Sequence, residues 1–280
     1  AITAAHNLGG AFIDNHLFHG NELGMALHTI DWPRVLDISD RALRKVVIGL
    51  GGPMHGIPRE TRFDITVASE LMAILAMADD VQDLRARIGR IIVARTAEGE
   101  PVTTEDLKVA GAMTVLMRET IKPNLMQNLE GGPVFVHAGP FANIAQGNSS
   151  IVADRIALKL ADYVVTEAGF GADLGAEKFA NIKCRASGLA PDAAVLVCTV
   201  RALKMHSGRF AIKPGQPLDP ALLAEDISAL EGGVCNLVKQ VENVRTLGVP
   251  VVVAINAFET DSPAEHMMIA ECARKAGAFD

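Results

Sequence analysis

Val134-Phe135-Val136-His137-Ala138-Gly139-Pro140-Phe141-Ala142-Asn143-Ile144-Ala145-Gln146-Gly147-Asn148-Ser149-Ser150 passes from apolar to small to polar residues within one short stretch. Its β-branched start predicts a buried strand, and the Gly, Pro and Asn that follow predict a loop. Beyond it, the spacing of Ile151, Ala153, Ile156, Ala157 and Leu160 predicts a helix. Strand, small-residue loop and helix start, in that order, is how α/β proteins present backbone N–H groups to anions. The loop is therefore the first candidate phosphate site.

A second arrangement of the same kind follows at once. Tyr163-Val164-Val165-Thr166 predicts a strand, and Glu167-Ala168-Gly169-Phe170-Gly171-Ala172-Asp173-Leu174-Gly175 predicts a loop. Gly169, Gly171 and Gly175 permit positive φ and close approach of a ligand to the main chain. Two successive loops with an aromatic beside glycine suggest one shared pocket. By spacing alone they read equally well as ordinary turns between strands and helices.

Outward from these loops, strands are predicted at Val134–His137, Tyr163–Thr166, Ala194–Thr199 and Val249–Ile255. Helices are predicted at Ser149–Ala161, near Ala176–Phe179 and at Leu222–Leu247. Apolar strands without alternation, separated by helices, predict a parallel sheet covered on both faces, with ligands at the carboxyl ends of its strands. Ala138–Gly147, Glu167–Gly175, Val200–Met205 and Asn256–Asp261 then share one edge, and Ser207–Pro220 reads as a mobile surface insertion. Asn256 and Phe258, directly after the last strand, could read a flat heterocycle, but on these residues alone a capping Asn and an ordinary core Phe are preferred.

In the first half, residues 1–30 look helical. His16 and His19 share a helical face, but no third or fourth ligand stands at useful spacing, so a polar face is preferred to a metal site. Val46–Leu50 predicts a strand, and Gly51–Arg62, carrying Arg59, Glu60 and Arg62, a long loop. Ala68–Met77 predicts a buried helix, and Ile88–Ala94 a helix end running into a strand. Thr103 or Thr104 predicts the cap of a helix reaching about Thr120.

The bulk numbers narrow the function. The 280 residues are 49% hydrophobic, enough for a sizeable core, yet Trp32 and Tyr163 are the only Trp and Tyr. A net charge of -7 argues against a dedicated nucleic-acid binder. No apolar run approaches a membrane span. Cys184, Cys198, Cys235 and Cys272 are scattered, with no zinc-type spacing, which points to reduced thiols in a cytoplasmic protein. The chain starts at Ala1 inside a helical pattern and stops at Asp280 where a strand is due, so both ends look cut and the expectation is the middle of a longer polypeptide.

These residues resemble the central portion of the formate–tetrahydrofolate ligases. The resemblance is carried by FDITVASELMAIL (63–75), IKPNLMQNLEG (121–131), HAGPFANIA (137–145), VVTEAGFGADLGAEKF (164–179), TVRALKMH (199–206) and VPVVVAINAF (249–258). It implies an α/β fold with a parallel sheet like that of P-loop nucleotide-binding proteins. It also implies an inserted α/β domain over 1–120, part of the nucleotide-binding core over 121–230 and the start of a C-terminal domain over 231–280. The implied activity, in one-carbon metabolism, is ATP-dependent ligation of formate to tetrahydrofolate through formyl phosphate. ATP acts with Mg2+, a monovalent cation is left open, and the family's homotetramers imply a homo-oligomer with no nucleic-acid or membrane partner.

Residue by residue, the resemblance puts Pro140, Phe141, Ala142 and Asn143 near the nucleotide. Glu167, Gly169, Phe170 and Gly171 fall beside the formyl phosphate and the pterin, and Phe258 helps to sandwich the pterin. Arg201 and Lys204 are candidate phosphate or folate-tail partners by position only, and Asp173 and Lys178 receive no role. The Gly- and Lys-containing P-loop, the arginine that follows it and the second pterin clamp, a tryptophan that Trp32 does not match, have no counterpart here. Gln146 stands where many relatives have His, and Glu259 where several have Pro. These 280 residues alone are expected not to turn over. A competing possibility is a non-catalytic folate- or nucleotide-binding α/β module without phosphate chemistry.

Overall fold

The computed structural model describes residues 1–213 and 215–280. Pro214, within the predicted insertion, lies outside them, and the described residues 209–213 and 215–219 form no helix or strand. The chain forms two compact units, Ala1–Ala168 and Gly169–Asp280.

The first unit comprises α1 (Ile2–Phe18), β1 (Arg34–Leu36), β2 (Val46–Ile48), β3 (Arg59–Thr61), β4 (Phe63–Ile65), α2 (Glu70–Met77) and α3 (Val81–Gly89). These are followed by β5 (Ile92–Arg95), β6 (Pro101–Thr103), α4 (Ala110–Met117), β7 (Asn124–Gln127), β8 (Pro133–Val136) and α5 (Ile151–Leu160). Its core is aliphatic: Ile13, Leu71, Leu75, Leu84, Ile88, Met113 and Met117 from the first four helices form one buried cluster. Trp32 joins it, stacking on His6 at 4.2 Å and donating Nε1 to the His6 carbonyl at 3.0 Å.

His6 is itself buried. Its Nε2 faces the Pro33 carbonyl at 2.8 Å, so that nitrogen carries the proton, and Nδ1 accepts from Ser69 Oγ at 2.8 Å. Ser69 accepts from Leu71 N as the N-cap of α2. Burial pushes the His6 pKa down to about 4, although the Pro33 hydrogen bond and Asp64 favour the cation.

Several expectations for this unit need correction. Val134–Val136 is not a buried parallel strand: β8 pairs antiparallel with β7, Asn124 opposite Val136, and is mostly exposed. The Asn128–Gly132 turn makes the hairpin, since Asn128 Oδ1 accepts from Glu130 N and Gly132 N, and Gly131 adopts φ +87°. Tyr163–Thr166 forms no strand. Tyr163 and Val165 are 91% and 95% exposed, and without a neighbouring backbone to pair with, an apolar run does not become a strand. Arg59–Thr61 is a strand rather than loop, paired antiparallel with β2 from Val46 opposite Thr61 to Ile48 opposite Arg59, and Arg59 is tied to Asp14 of α1 at 2.9 Å. The helix expected from Thr103 starts only at Ala110: Thr103 ends β6 with its N–H and hydroxyl donated to Asp106, and Thr104 donates to the Ile88 carbonyl.

The second unit begins with a helical run that is π-helical over Gly171–Gly175 and Phe179–Cys184, around the short turns α6 (Ala176–Lys178) and α7 (Arg185–Ser187). It continues through β9 (Ala194–Cys198), α8 (Val200–His206), α9 (Pro220–Leu223), α10 (Ile227–Thr246), β10 (Val251–Ile255) and α11 (Pro263–Lys275). β9 and β10 are parallel and in register from Val251 opposite Ala194 to Ile255 opposite Cys198. Leu203, Leu230, Leu237, Val241 and Ile269 pack beneath them. The parallel sheet is thus a pair of strands, where four were expected. The helix predicted over 222–247 is two, because Asp226 caps a new start by accepting from Ala229 N at 2.8 Å.

The fold is α/β, with small parallel and antiparallel sheets. No helix among the described residues is long and apolar enough to cross a membrane. Among the same residues, no three His, Cys, Asp or Glu gather where they would hold a metal ion.

Candidate active site

The loop from Ala138 to Ser150 is held at both ends by one histidine. His137 Nε2 donates to the Thr120 carbonyl at 2.7 Å, and Nδ1 accepts from Ser150 Oγ at 2.5 Å. Ser150 accepts from Ala153 N at 3.0 Å as the N-cap of α5. The arrangement repeats that of His6 and Ser69 at α2, and burial likewise pushes the His137 pKa down, against the Thr120 hydrogen bond. Ala138 then takes φ +57°, a left-handed conformation costing a non-glycine residue about 1 kcal/mol.

Further along, the loop folds on itself. Gly147 has φ +70°, and a Cβ there would lie 2.4 Å from Ala142 Cβ and 2.5 Å from Ala142 Cα. The loop rests on α2 through Gly139 N to Met72 Sδ at 3.3 Å and Gln146 Nε2 to the Ala73 carbonyl at 3.4 Å. Pro140 and Ala142 are buried, whereas Phe141 and Asn143 are exposed. A cavity of about 210 Å³ opens between Ser69, Glu70 and Ala73 at the start of α2 and Pro140, Ile144 and Ala145 of the loop. It is smaller than the roughly 300–1,000 Å³ usual for a ligand pocket.

Asn148 joins the two loops predicted from sequence. Its Nδ2 donates to the Glu167 carbonyl at 3.3 Å, and its Oδ1 is buried with no partner. The Glu167 side chain is exposed.

The remaining candidates lie in the second unit. Gly169 and Gly171 take φ +83° and +72°, conformations that favour glycine, and Phe170 between them is exposed. The π-helical turns that follow are of a kind found often at functional sites. At the carboxyl ends of β9 and β10, Thr199 caps α8 and Asn256 N donates to the Cys198 carbonyl at 2.8 Å. The next residues place Phe258, whose N–H donates to Asp261 Oδ2 at 3.0 Å while its carbonyl accepts from Asp261 N. The Arg201 guanidinium carbon stands 3.8 Å from the centre of the Phe258 ring, and Arg201 Nη2 donates to Thr260 Oγ1 at 3.0 Å.

Lys204, three residues on, has a different environment. It is 2% exposed, and its Nζ donates to the Ala224 carbonyl at 2.8 Å and to Glu265 Oε1 at 2.9 Å. Glu265 is 0% exposed and also accepts from Asp226 N and Ser262 N. Desolvation pushes its pKa up, but these hydrogen bonds win and hold it below the usual carboxylate range. Both ends of this pair are satisfied internally, which is the geometry of a strut between α8 and α11.

A family profile described as formate–tetrahydrofolate ligase matches residues 1–280. The chain belongs to the formate–tetrahydrofolate ligase family. It is 60% identical over 278 residues to formate–tetrahydrofolate ligase 3 of Rubrobacter xylanophilus, covering 99% of this chain and 48% of that protein. It is 62% identical over 280 residues to the formate–tetrahydrofolate ligase of Roseiflexus sp. RS-1, covering all of this chain and 50% of that protein. The Chloroflexus aurantiacus enzyme is 58% identical over 284 residues, with 99% and 50% covered. The chain thus spans about half the length of the curated relatives it matches.

Within this family member, the predicted loop over 138–147 forms, whereas the one predicted over Glu167–Gly175 is irregular only to Phe170 and π-helical from Gly171 on, and sequence reasoning missed the supports of both: the His137–Ser150 clamp, the Asn148 bridge and the Arg201–Phe258 contact. Ser150 before an apolar helical run was a legible cap. A contact between residues 57 apart in sequence, such as 201 and 258, left no local signal.

Proposed function

We propose that the protein of which this chain forms a part ligates formate to tetrahydrofolate with ATP, giving 10-formyltetrahydrofolate, ADP and phosphate. The carrying observation is the match to formate–tetrahydrofolate ligases over residues 1–280, which includes every loop described above. In this reading a formate oxygen attacks the γ-phosphorus, ADP leaves, and N10 of tetrahydrofolate attacks the formyl carbon of formyl phosphate. Phosphate departs with the former formate oxygen, and N10 loses a proton. Mg2+, carried by the nucleotide, would neutralise charge on its phosphates; no cluster of His, Cys, Asp or Glu among the described residues would hold it independently.

The Pro140–Asn143 segment is assigned to the nucleotide, and Glu167, Gly169, Phe170 and Gly171 to formyl phosphate and the edge of the pterin. Left-handed glycines leave main-chain N–H groups free of a Cβ shield, which suits stabilisation of phosphoryl oxygens. Phe258 is assigned to the pterin face. Lys204 is assigned no ligand, because its ammonium is already paired inside the unit. The P-loop-like sheet, domain boundaries near Thr120 and Glu231, and a homo-oligomer are proposed for the intact protein.

The test uses the full-length protein with 18O-labelled formate. ATP-dependent 10-formyltetrahydrofolate with 18O appearing in the released phosphate is expected. Product without label in phosphate refutes formyl phosphate, and no product refutes the ligase reading.

A further inference from the structure

We infer that Arg201 is a positioning residue for Phe258, fixing one face of the ring so that its free face meets the pterin of the folate; this rests on the assignment of Phe258 to the pterin. The guanidinium carbon is 3.8 Å from the ring centre, inside the range for a cation–π contact, and Phe258 nevertheless remains 41% exposed. One face is therefore covered by a flat cation while ring surface stays available to a second flat group.

The way Arg201 is held supports a role in holding the ring. Its Nη2 donates to Thr260 Oγ1 at 3.0 Å, two residues beyond Phe258, so it grips the same loop at two points. Its Nε is buried with no hydrogen-bond partner. A guanidinium placed to maximise hydrogen bonds would satisfy that donor first; here the contact with the ring face is kept at its expense. No acidic side chain forms an ion pair with Arg201 among the described residues, so the ring itself is the principal partner of the charge.

The backbone of the loop is restrained separately. Asp261 holds the Phe258 N–H, and Ser262 with Glu265 forms the capping box of α11. Those contacts fix where Phe258 leaves the chain, but not the plane of its ring, because rotation about χ1 and χ2 is untouched by main-chain hydrogen bonds. The Arg201 stack supplies that restraint. A mis-set ring would displace the stacked pterin and with it N10, which must lie within about 3–3.5 Å of the formyl carbon.

The full-length protein is tested as Arg201→Lys, Arg201→Met, Phe258→Leu and Arg201→Met/Phe258→Leu, with KM for each substrate, kcat and thermal midpoint. The expected result is a rise in KM for tetrahydrofolate of about three- to thirtyfold with reduced kcat in both Arg201 variants, while KM for ATP and formate stays put. The double variant should match Phe258→Leu alone, since the stack has then lost its ring. An unchanged tetrahydrofolate KM in Phe258→Leu overturns the pterin assignment itself. A raised KM in Phe258→Leu with normal Arg201 variants, or additive losses in the double variant, overturns the positioning role alone. Full rescue by Arg201→Lys also overturns it, because it would show that charge without a planar face is enough.

Discussion

Lowering the pH should weaken the first unit through His6 in a way a single substitution can isolate. The buried imidazole has a pKa of about 4, against about 6.5 in an unfolded chain. A depressed histidine pKa means that the unfolded state takes up the proton first as pH falls. The stability associated with the neutral ring is therefore fully present above pH 6.5 and is lost as pH falls towards 4. The gap corresponds to about 3 kcal/mol once both states are titrated, at about 1.4 kcal/mol per pKa unit. At pH 5 the unfolded histidine is almost wholly protonated and the folded one hardly at all, so about 2 kcal/mol should be gone relative to pH 7. The structural cause is specific. A proton on Nδ1 turns the acceptor that now receives the Ser69 hydroxyl into a donor, in a buried site where Ser69 must also keep the Leu71 cap.

Trp32, the only tryptophan of these 280 residues, stacks on His6, and its fluorescence reports the unit. Urea unfolding of the protein and of His6→Asn at pH 7, 6 and 5 gives the two profiles. The wild-type profile should fall about 2 kcal/mol more steeply than that of the variant. Other carboxylates and His137 titrate in both proteins and cancel in the difference. Parallel profiles would sink the assignment of a depressed pKa to His6.

Three further outcomes are expected. Gly147→Ala should lower stability by about 2 kcal/mol, from left-handed strain and overlap with Ala142, and should speed amide exchange across 138–147; unchanged exchange would show that the loop is not packed as described. Lys204→Met should cost about 3–5 kcal/mol by leaving the buried Glu265 carboxylate unpaired, and Lys204→Met/Glu265→Gln should recover part of it, read by urea unfolding; a loss below about 1 kcal/mol would refute the strut. Thiol labelling at pH 7.5 should reach the exposed Cys235 of the native protein much faster than the half-buried Cys198, because partial burial raises the Cys198 pKa to about 11; equal native rates at the two, located by peptide mapping, would contradict that shift.

Where structure follows from residues near in sequence, the sequence was legible. The spacing of Ile151, Ala153, Ile156, Ala157 and Leu160 predicted the helix that forms as α5, and the strands expected at Val249–Ile255 and Ala194–Thr199 form as Val251–Ile255 and Ala194–Cys198, paired in parallel. Errors arose where a partner decides the outcome. Tyr163–Thr166 has the composition of a strand, but composition cannot supply the neighbouring backbone that a strand requires. Val134–Val136 reads as buried by its β-branching, yet the Asn128–Gly132 turn folds β7 onto it and leaves it at the surface. The turn residues were visible, and giving them the weight accorded to the apolar run would have predicted the hairpin.

Arg201 and Lys204 show the same limit at the candidate site. They are three residues apart on α8, and from sequence both were candidate phosphate or folate-tail partners by position only, at the expected carboxyl edge of the sheet. What separates them is the other end of each contact. Lys204 meets Glu265, 61 residues further on, whose carboxylate is buried and already receives two main-chain donors, so its charge is neutralised inside the fold. Arg201 meets Phe258 and Thr260, which have no charge to neutralise it, and its cation lies against a ring that is still partly open to solvent. Removing Lys204 should therefore damage folding before chemistry, whereas removing Arg201 should alter folate use before stability. If the two substitutions gave the same phenotype, the division of α8 into a buried strut and a support for the ring would be wrong.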